Sequence, residues 1–240
     1  MNDALLEADG LVVRHGQLVA LREVSLRVQP GEVYAVVGAN GAGKSTLLRT
    51  LAGLHPTTGR IRFDGQDVTR ESAHARVRRG MVMVPEGRRL FRSLTVEENI
   101  LIGAVSGRGG RWDLDAVFDL FAWMRERRHE RVNHLSGGEQ QQVAICRALI
   151  ANPRLLLLDE ISLGLAPVIV QQIYQMLPQL LDEDIAILLV EQDVAQALRV
   201  ATRFQCLLEG RTTLEGSPAD FSAVDVEAAY FGFATEDAAP

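Results

Sequence analysis

One stretch, residues 33–51, limits what this chain can become more than any other. Val33, Tyr34, Ala35, Val36 and Val37 form a short apolar run rich in β-branched side chains, which reads as a buried parallel strand. It ends at Gly38, and Gly38-Ala39-Asn40-Gly41-Ala42-Gly43-Lys44-Ser45-Thr46 matches the phosphate-loop pattern G-x-x-x-x-G-K-[ST] at every required position. Leu47, Leu48 and Leu51 then recur at helical spacing, so a helix starts where the loop stops. Gly38, Gly41 and Gly43 let the backbone turn tightly and approach phosphate oxygens without a Cβ in the way, and the helix start adds its positive dipole end. Lys44 can reach the β- and γ-phosphates of a nucleotide, while Ser45 offers a hydroxyl to Mg²⁺. A glycine-rich turn with a chance Lys-Ser is the alternative. The strand before it and the helix after it favour nucleotide binding.

The chain of 240 residues is 47% apolar, enough for one large α/β domain or a domain carrying a smaller insert. No segment approaches the roughly 18 to 20 uninterrupted apolar residues of a membrane span, and Met1-Asn2-Asp3-Ala4 shows no secretory signal, so a cytoplasmic location is expected. Cys146 and Cys206 stand far apart and outside any CxxC pair, which argues against disulfide or zinc scaffolding. A net charge of -6 leaves no electrostatic footprint for nucleic acid. Arg125, Arg127, Arg128 and Arg131 read as the solvated end of a helix, with a specific anion site as the alternative. His129 and His134 lack the spacing of a zinc pair on one helical face and read as surface residues. The tail from Ala234 to Pro240 is expected to fray.

Along the chain, Leu5 to Arg14 and Val24 to Val28 read as extended segments, and the alternation of Val24, Leu26 and Val28 with polar neighbours implies an antiparallel piece. Ile61 and Phe63 lead into a hairpin turn at Asp64-Gly65, where that antiparallel layer resumes. Met81 to Val84 is a short buried strand closed by Pro85, and Thr95 with Glu98 forms a capping box. From about Ile100 to His134 the pattern is helical, with a glycine-rich break at Gly107, Gly109 and Gly110. This block reads as an inserted helical unit. Ser136 before Gly137-Gly138-Glu139 opens another helix, either as a second anion-binding terminus or as an ordinary N-cap.

Leu155 to Leu158 make an apolar strand ending in Asp159-Glu160, at the sheet edge where ligands bind. Asp159 is placed to hold Mg²⁺ and Glu160 to polarise an attacking water, unless the strand end is acidic by chance. A helix from Pro167 to Leu181, a strand from Ile185 to Val190 ending in Glu191-Gln192-Asp193, a hairpin turning at Glu209-Gly210 and a helical segment from Ser217-Pro218 complete the chain.

Taken together, these stretches resemble the ATP-binding subunits of ATP-binding cassette (ABC) transporters. Leu135-Ser136-Gly137-Gly138-Glu139-Gln140 is similar to the signature of that family, and the motifs fall in the family's order over nearly the whole chain. Val84 to Phe91, Leu94 to Asn99, Ser162-Leu163-Gly164-Leu165-Ala166-Pro167, Leu189-Val190-Glu191-Gln192 and Ala228-Ala229-Tyr230-Phe231-Gly232 look like the branched-chain amino acid importer subfamily. The resemblance implies a single ABC ATPase domain: a RecA-like phosphate-loop core with an antiparallel β layer over 1–85 and 152–240, and a helical insert over 86–151. It implies an ATPase that powers uptake of branched-chain amino acids, peripheral on the inner face of the membrane. Its partners would be permease subunits, touching Leu90, Phe91 and Leu94, and indirectly a periplasmic or extracellular solute-binding protein.

The resemblance also implies that two cassettes, identical or sister, pair head to tail. ATP and Mg²⁺ held by Gly38, Asn40, Gly41, Gly43, Lys44, Ser45 and Thr46 of one would then be covered by Ser136, Gly137, Gly138 and Glu139 of the other. Ser45 and Asp159 would place the metal and Glu160 would activate water. Four positions depart from the broad family pattern. Glu86 stands for the usual metal- and water-contacting Gln, Gln192 for the switch His, His15 for the aromatic residue stacked on adenine, and Ile161 for Pro. Glu86 and Gln192 fit the amino acid importer subfamily. Urea or amide import, lipopolysaccharide-type export and, less readily, a non-transport ABC ATPase are the alternatives.

Overall fold

Two sheets share the chain, and the period of their side chains explains how they stack. The structure is a computed structural model and describes residues 4–233; the expectations for the first three residues and for the tail from Ala234 lie outside them. β1 (Leu6–His15), β2 (Leu18–Val28), β4 (Thr58–Phe63) and β5 (Gln66–Asp67) form an antiparallel sheet in the order β2-β1-β4-β5. β3 (Val33–Val37), β6 (Met81–Val84), β7 (Leu155–Asp159), β8 (Ala186–Glu191), β9 (Arg203–Leu208) and β10 (Arg211–Gly216) form the second sheet, in the order β10-β9-β3-β8-β7-β6. From β9 to β6 every pairing is parallel, and β10 closes the edge antiparallel to β9.

The strands β3, β7 and β8 are buried along their whole length, which is why they read as continuous apolar runs. Alternate residues serve two cores. Tyr34, Val36, Leu155, Leu157, Leu188 and Val190 join Leu6, Leu11, Val24, Ile61 and Phe63 of the antiparallel layer, together with Leu47, Leu48 and Leu51 of α1 (Lys44–Leu51). Val33, Ala35, Leu156, Leu158, Ile187 and Leu189 face the other way, onto helices. A Leu→Ala change at either set is expected to cost about 2–5 kcal/mol, because the rigid sheet cannot collapse into the space.

The second core is shared with the helices that follow β6: α3 (Val96–Leu101), α4 (Leu114–Leu120), α5 (Trp123–Glu126) and α6 (Gly137–Leu149). Thr95 and Ser136 each close a capping box, with Glu98 and Glu139 returning to their own N-cap backbone. Three of the four arginines after α4 are engaged, while Arg131 is exposed. Arg125 pairs with Asp115 and Asp119, Arg127 with Glu130 and Glu139, and Arg128 with Glu97. α7 (Pro167–Leu181) has the expected limits.

Three differences from the sequence reading stand out. β2 begins at Leu18, six residues before the alternation at Val24 becomes visible, because Leu18 lies exposed beside the turn at Gly16. Helix α2 (Ala73–Arg79) has no apolar stripe, since its buried anchor is Arg76, whose guanidinium donates to the carbonyls of Thr50, Leu51, Val68 and Thr69. Helix α8 (Val194–Val200), which the sequence reading did not place, is capped by Asp193, and Ser217-Pro218 open only a 3-10 turn, Pro218–Asp220, so that the last helix, α9 (Ala223–Phe231), starts at its own cap, Ser222.

Candidate functional site

The carboxyl ends of β3, β7 and β8 converge on one side of the parallel sheet, and the chemistry-bearing residues gather there. The loop after β3 passes so close to its neighbours that two glycines are required. A Cβ on Gly38 would lie 2.3 Å from the Leu207 carbonyl oxygen, and one on Gly43, at φ +106°, would lie 2.7 Å from that of Ala20. The loop delivers the first turn of α1, whose N–H groups have no intrahelical acceptor, to the floor of a cleft of about 660 Å³.

Lys44 and Ser45 stand at that helix start, and each already has a partner. Lys44 Nζ donates to the carbonyls of Gly38 at 2.8 Å and Ala39 at 3.2 Å and lies 3.3 Å from Glu160 Oε1, so all three of its donors are used within the chain. Ser45 Oγ donates to Asp159 Oδ1 at 2.8 Å. Glu160 follows β7 in the left-handed region, φ +47°, with its N–H donating to the Val190 carbonyl at 2.9 Å. A side chain in that conformation marks a turn fixed by its surroundings.

Asp159 is fully buried, and its second oxygen, Oδ2, has no hydrogen-bond partner. Burial pushes its carboxyl above the ordinary range, with Glu160 and Glu86 adding to the rise against the Ser45 hydrogen bond and the charge of Arg49. An orphaned carboxylate oxygen beside a serine hydroxyl fits a hard divalent cation. The described residues hold no group of three or more His, Cys, Asp or Glu side chains able to bind a metal unaided, so phosphate oxygens and waters would have to complete the shell, as Mg²⁺ prefers.

The cleft is also lined by His15, Asn40, Gly41, Thr46 and, at its exposed rim, Glu86. His15 Nε2 lies 3.4 Å from Thr46 Oγ1, and its ring meets His55 edge to face at 5.0 Å. Sequence reasoning did not single out Leu18, Val19, Ala20 or Arg22, and named Leu163 only within a family motif and Glu209 only as a turn, yet all six line the same cleft. The contact of Gly43 and Gly210 with the Ala20 carbonyl brings the first group there, and no local sequence signal announces it.

Two sets of expected residues lie elsewhere. Gln192 is exposed and lines a neighbouring cavity of about 320 Å³ that shares Glu160 and Leu163 with the cleft. Ser136, Gly137, Gly138 and Glu139 start α6 and line no part of the cleft. Ser136 accepts from Glu139 N, while the Glu139 carboxylate accepts from Ser136 N and pairs with Arg127, which commits both side chains locally.

Comparison with known proteins agrees with this geometry. The ABC transporter family pattern matches residues 21–162. The chain is 43% identical over 218 residues to the high-affinity branched-chain amino acid transport ATP-binding protein BraG of Pseudomonas aeruginosa, covering 90% of this chain and 94% of that one. It is 30% identical to BraF of the same organism, described in the same words, over 97% of this chain and 99% of that one. Among solved structures, the ADP conformation of MJ1267, an ATP-binding cassette of an ABC transporter, superposes with a TM-score of 0.80 at 25% identity and 94% coverage of both chains. A dimeric post-hydrolysis state of the cassette MJ0796, bound to ADP and Pi, gives 0.78 at 26% identity, with 89% and 98% covered. A phosphate loop, a buried strand-end aspartate and a following glutamate, gathered on such a fold, place the chain in the ABC transporter family, as an ATP-binding protein whose hydrolysis of ATP is coupled to transport.

Proposed function

We propose that this chain is one of two paired ATPase subunits that power import of branched-chain, hydrophobic amino acids through a separate membrane permease. The observation that carries the ATPase part is the meeting of Lys44, Ser45, Asp159 and Glu160 at one helix start, with Lys44 to Glu160 at 3.3 Å and Ser45 to Asp159 at 2.8 Å. The solute rests on the resemblance to BraG and BraF, which are described by that cargo and differ from each other, so that the partner is either a second copy or a sister chain. In this reading the core is 1–85 with 152–240 and the helical unit is 86–151.

The residues suggest how the site works. Arrival of ATP gives Lys44 phosphate oxygens in exchange for the Gly38 and Ala39 carbonyls, and separates it from Glu160. Glu160, freed from the lysine, accepts a proton from the attacking water. Ser45 and Asp159, with Glu86 at the rim, are the groups that would hold Mg²⁺, which when bound neutralises charge on the transferred phosphoryl group. The amide of Gln192 donates toward the γ-phosphate, and His15 faces the base. Ser136, Gly137, Gly138 and Glu139 of the partner present the start of α6 to the same phosphate, so the nucleotide closes the pair and hydrolysis releases it.

No helix among the described residues is long and apolar enough to cross a membrane, so attachment would run through the permease. Of the residues expected to meet it, Phe91 lines a groove of about 390 Å³ with Met83, Val105 and Arg147, the surface offered to the permease, whereas Leu90 packs against the second core and Leu94 lines no part of that groove. Lipopolysaccharide export is a second reading, because the export ATPase LptB of Acidithiobacillus ferridurans is 32% identical over 89% of this chain. Purification of the full chain with its permease and solute-binding protein, followed by reconstitution, separates them. Hydrolysis stimulated by leucine or valine supports import of branched-chain amino acids, and stimulation by urea, or by lipopolysaccharide alone, contradicts it.

A further inference from the structure

Strand β8 ends on a carboxylate that none of these roles uses. Glu191 is 1% exposed, and three donors converge on it. Ser162 gives its backbone N–H to Oε1 at 3.2 Å and its hydroxyl to Oε2 at 2.8 Å, and the Tyr174 hydroxyl donates to Oε1 at 3.1 Å. Burial pushes the Glu191 carboxyl above its ordinary range, against the Ser162 and Tyr174 hydrogen bonds, and Glu160 adds to the rise. Burial and the adjacent Glu191 likewise keep the Tyr174 hydroxyl protonated, so it remains a donor. A buried carboxylate is costly where an amide or apolar residue would serve the sheet as well, and at the ligand edge of a parallel sheet such a group points to function.

All three donors belong to one segment, the turn after β7 and the helix α7 that it leads into. That segment begins with Glu160, whose left-handed backbone is held by its N–H to Val190 and by Leu163 N–H donating to its carbonyl at 3.4 Å. The residue after Glu191 is Gln192, and Glu160, Glu191 and Gln192 line one cavity. Glu191 therefore ties together, through Ser162, the two chain segments that carry the groups assigned to the reacting phosphate.

We propose that Glu191 is a positioning residue for hydrolysis: gripped by Ser162 and Tyr174, it locks the turn that carries Glu160 to the strand end that carries Gln192. The inference rests on the reading of Glu160 as the base. Without the lock, the turn is free to leave its left-handed conformation and Glu160 drifts from the water, while the phosphate loop, to which the Glu191 carboxylate makes no hydrogen bond, keeps its grip on the nucleotide through the β3 strand that pairs with the Glu191 backbone.

The test is steady-state hydrolysis by the full chain, with ATP affinity measured separately by a fluorescent ATP analogue. Glu191→Leu is expected to lower kcat about tenfold or more with ATP affinity within about twofold of the parent, the loss of hydrogen bonds felt only at the reacting centre. Glu191→Gln keeps an acceptor for the Ser162 N–H, and both hydroxyls can turn to suit an amide, so it recovers most of the turnover. Ser162→Ala and Tyr174→Phe, gentler changes that leave the fold intact, lower kcat about threefold each. In a Glu160→Gln background, Glu191→Leu costs nothing further, since it acts through Glu160. An unchanged kcat in Glu191→Leu, equal losses of kcat and affinity, or a further loss beyond Glu160→Gln overturns the proposal. Turnover retained by Glu160→Gln alone would instead remove the reading of Glu160 on which it rests.

Discussion

The phosphate loop and the start of α6 are both glycine-bearing turns that open a helix, yet the protein treats them oppositely. At the first, the two residues at the helix start are matched inside the chain before any ligand arrives, Lys44 to two carbonyls and Glu160 and Ser45 to Asp159, which leaves Asp159 Oδ2 unpartnered. At the second, Ser136 and Glu139 close a capping box, Glu139 also pairs with Arg127, Ser136 stays exposed, and none of residues 136–139 lines the cleft. The first is a preorganised pocket, and in the proposed reading the second is half of a contact. Their separation is what a nucleotide held between two surfaces requires.

The largest expected effect removes the reacting group from the prebuilt region alone. Glu160→Gln is expected to cut turnover about a thousandfold, the usual scale for loss of a general base, while ATP binding survives. Single-turnover phosphate release checks this, and release at the parental rate would break the contrast between binding and chemistry within the cleft. Next comes the cation. Lys44→Ala deletes the charge-assisted bonds to phosphate, and equilibrium binding is expected to weaken about a hundredfold, with the start of α6 unaffected in hydrogen exchange.

A smaller effect belongs to the rim. His15→Ala is expected to weaken ATP binding only about threefold, because an imidazole offers a small π-face, and the preference for ATP over GTP changes little. A strong ATP preference that vanishes in the variant would make His15 part of the prebuilt recognition. The smallest effect concerns stability. The folded Asp159 carboxyl titrates above its ordinary value, so the advantage of its neutral form is complete below the ordinary carboxylate value and gone once pH has risen through the raised one. Asp159→Asn removes the buried charge and is expected to raise Tm by about 2–4 °C at neutral pH, a gap that closes on acidification. Thermal melts over pH check it, and an Asn variant less stable than its parent would show the carboxylate to be a net stabiliser.

Much of this was legible in the residues. Val33 to Leu51 announces strand, loop and helix because its signals are local: an apolar run, glycines, then leucines at helical spacing. Thr95 and Ser136 were readable as caps, and Pro167 marked the start of α7. Helix α2 was not, because its anchor is an arginine that ties down carbonyls from the end of α1 and the loop after β5, and hydrophobic periodicity has nothing to detect; Ser72 and Gly80, its caps, were the available signals. The role given to Glu191 was hidden for a different reason. Its partners lie 29 and 17 residues earlier in the chain, so only the folded sheet reveals a carboxylate tied to Ser162 and Tyr174.

The contrast between a complete cleft and an incomplete helix tip has one direct test. Sedimentation of the Glu160→Gln chain with magnesium ATP is expected to show a doubling of mass, and a further Ser136→Arg change is expected to abolish the doubling while each chain still binds one nucleotide. A chain that binds ATP and stays single, or one whose pairing ignores Ser136→Arg, contradicts a nucleotide closed between two copies.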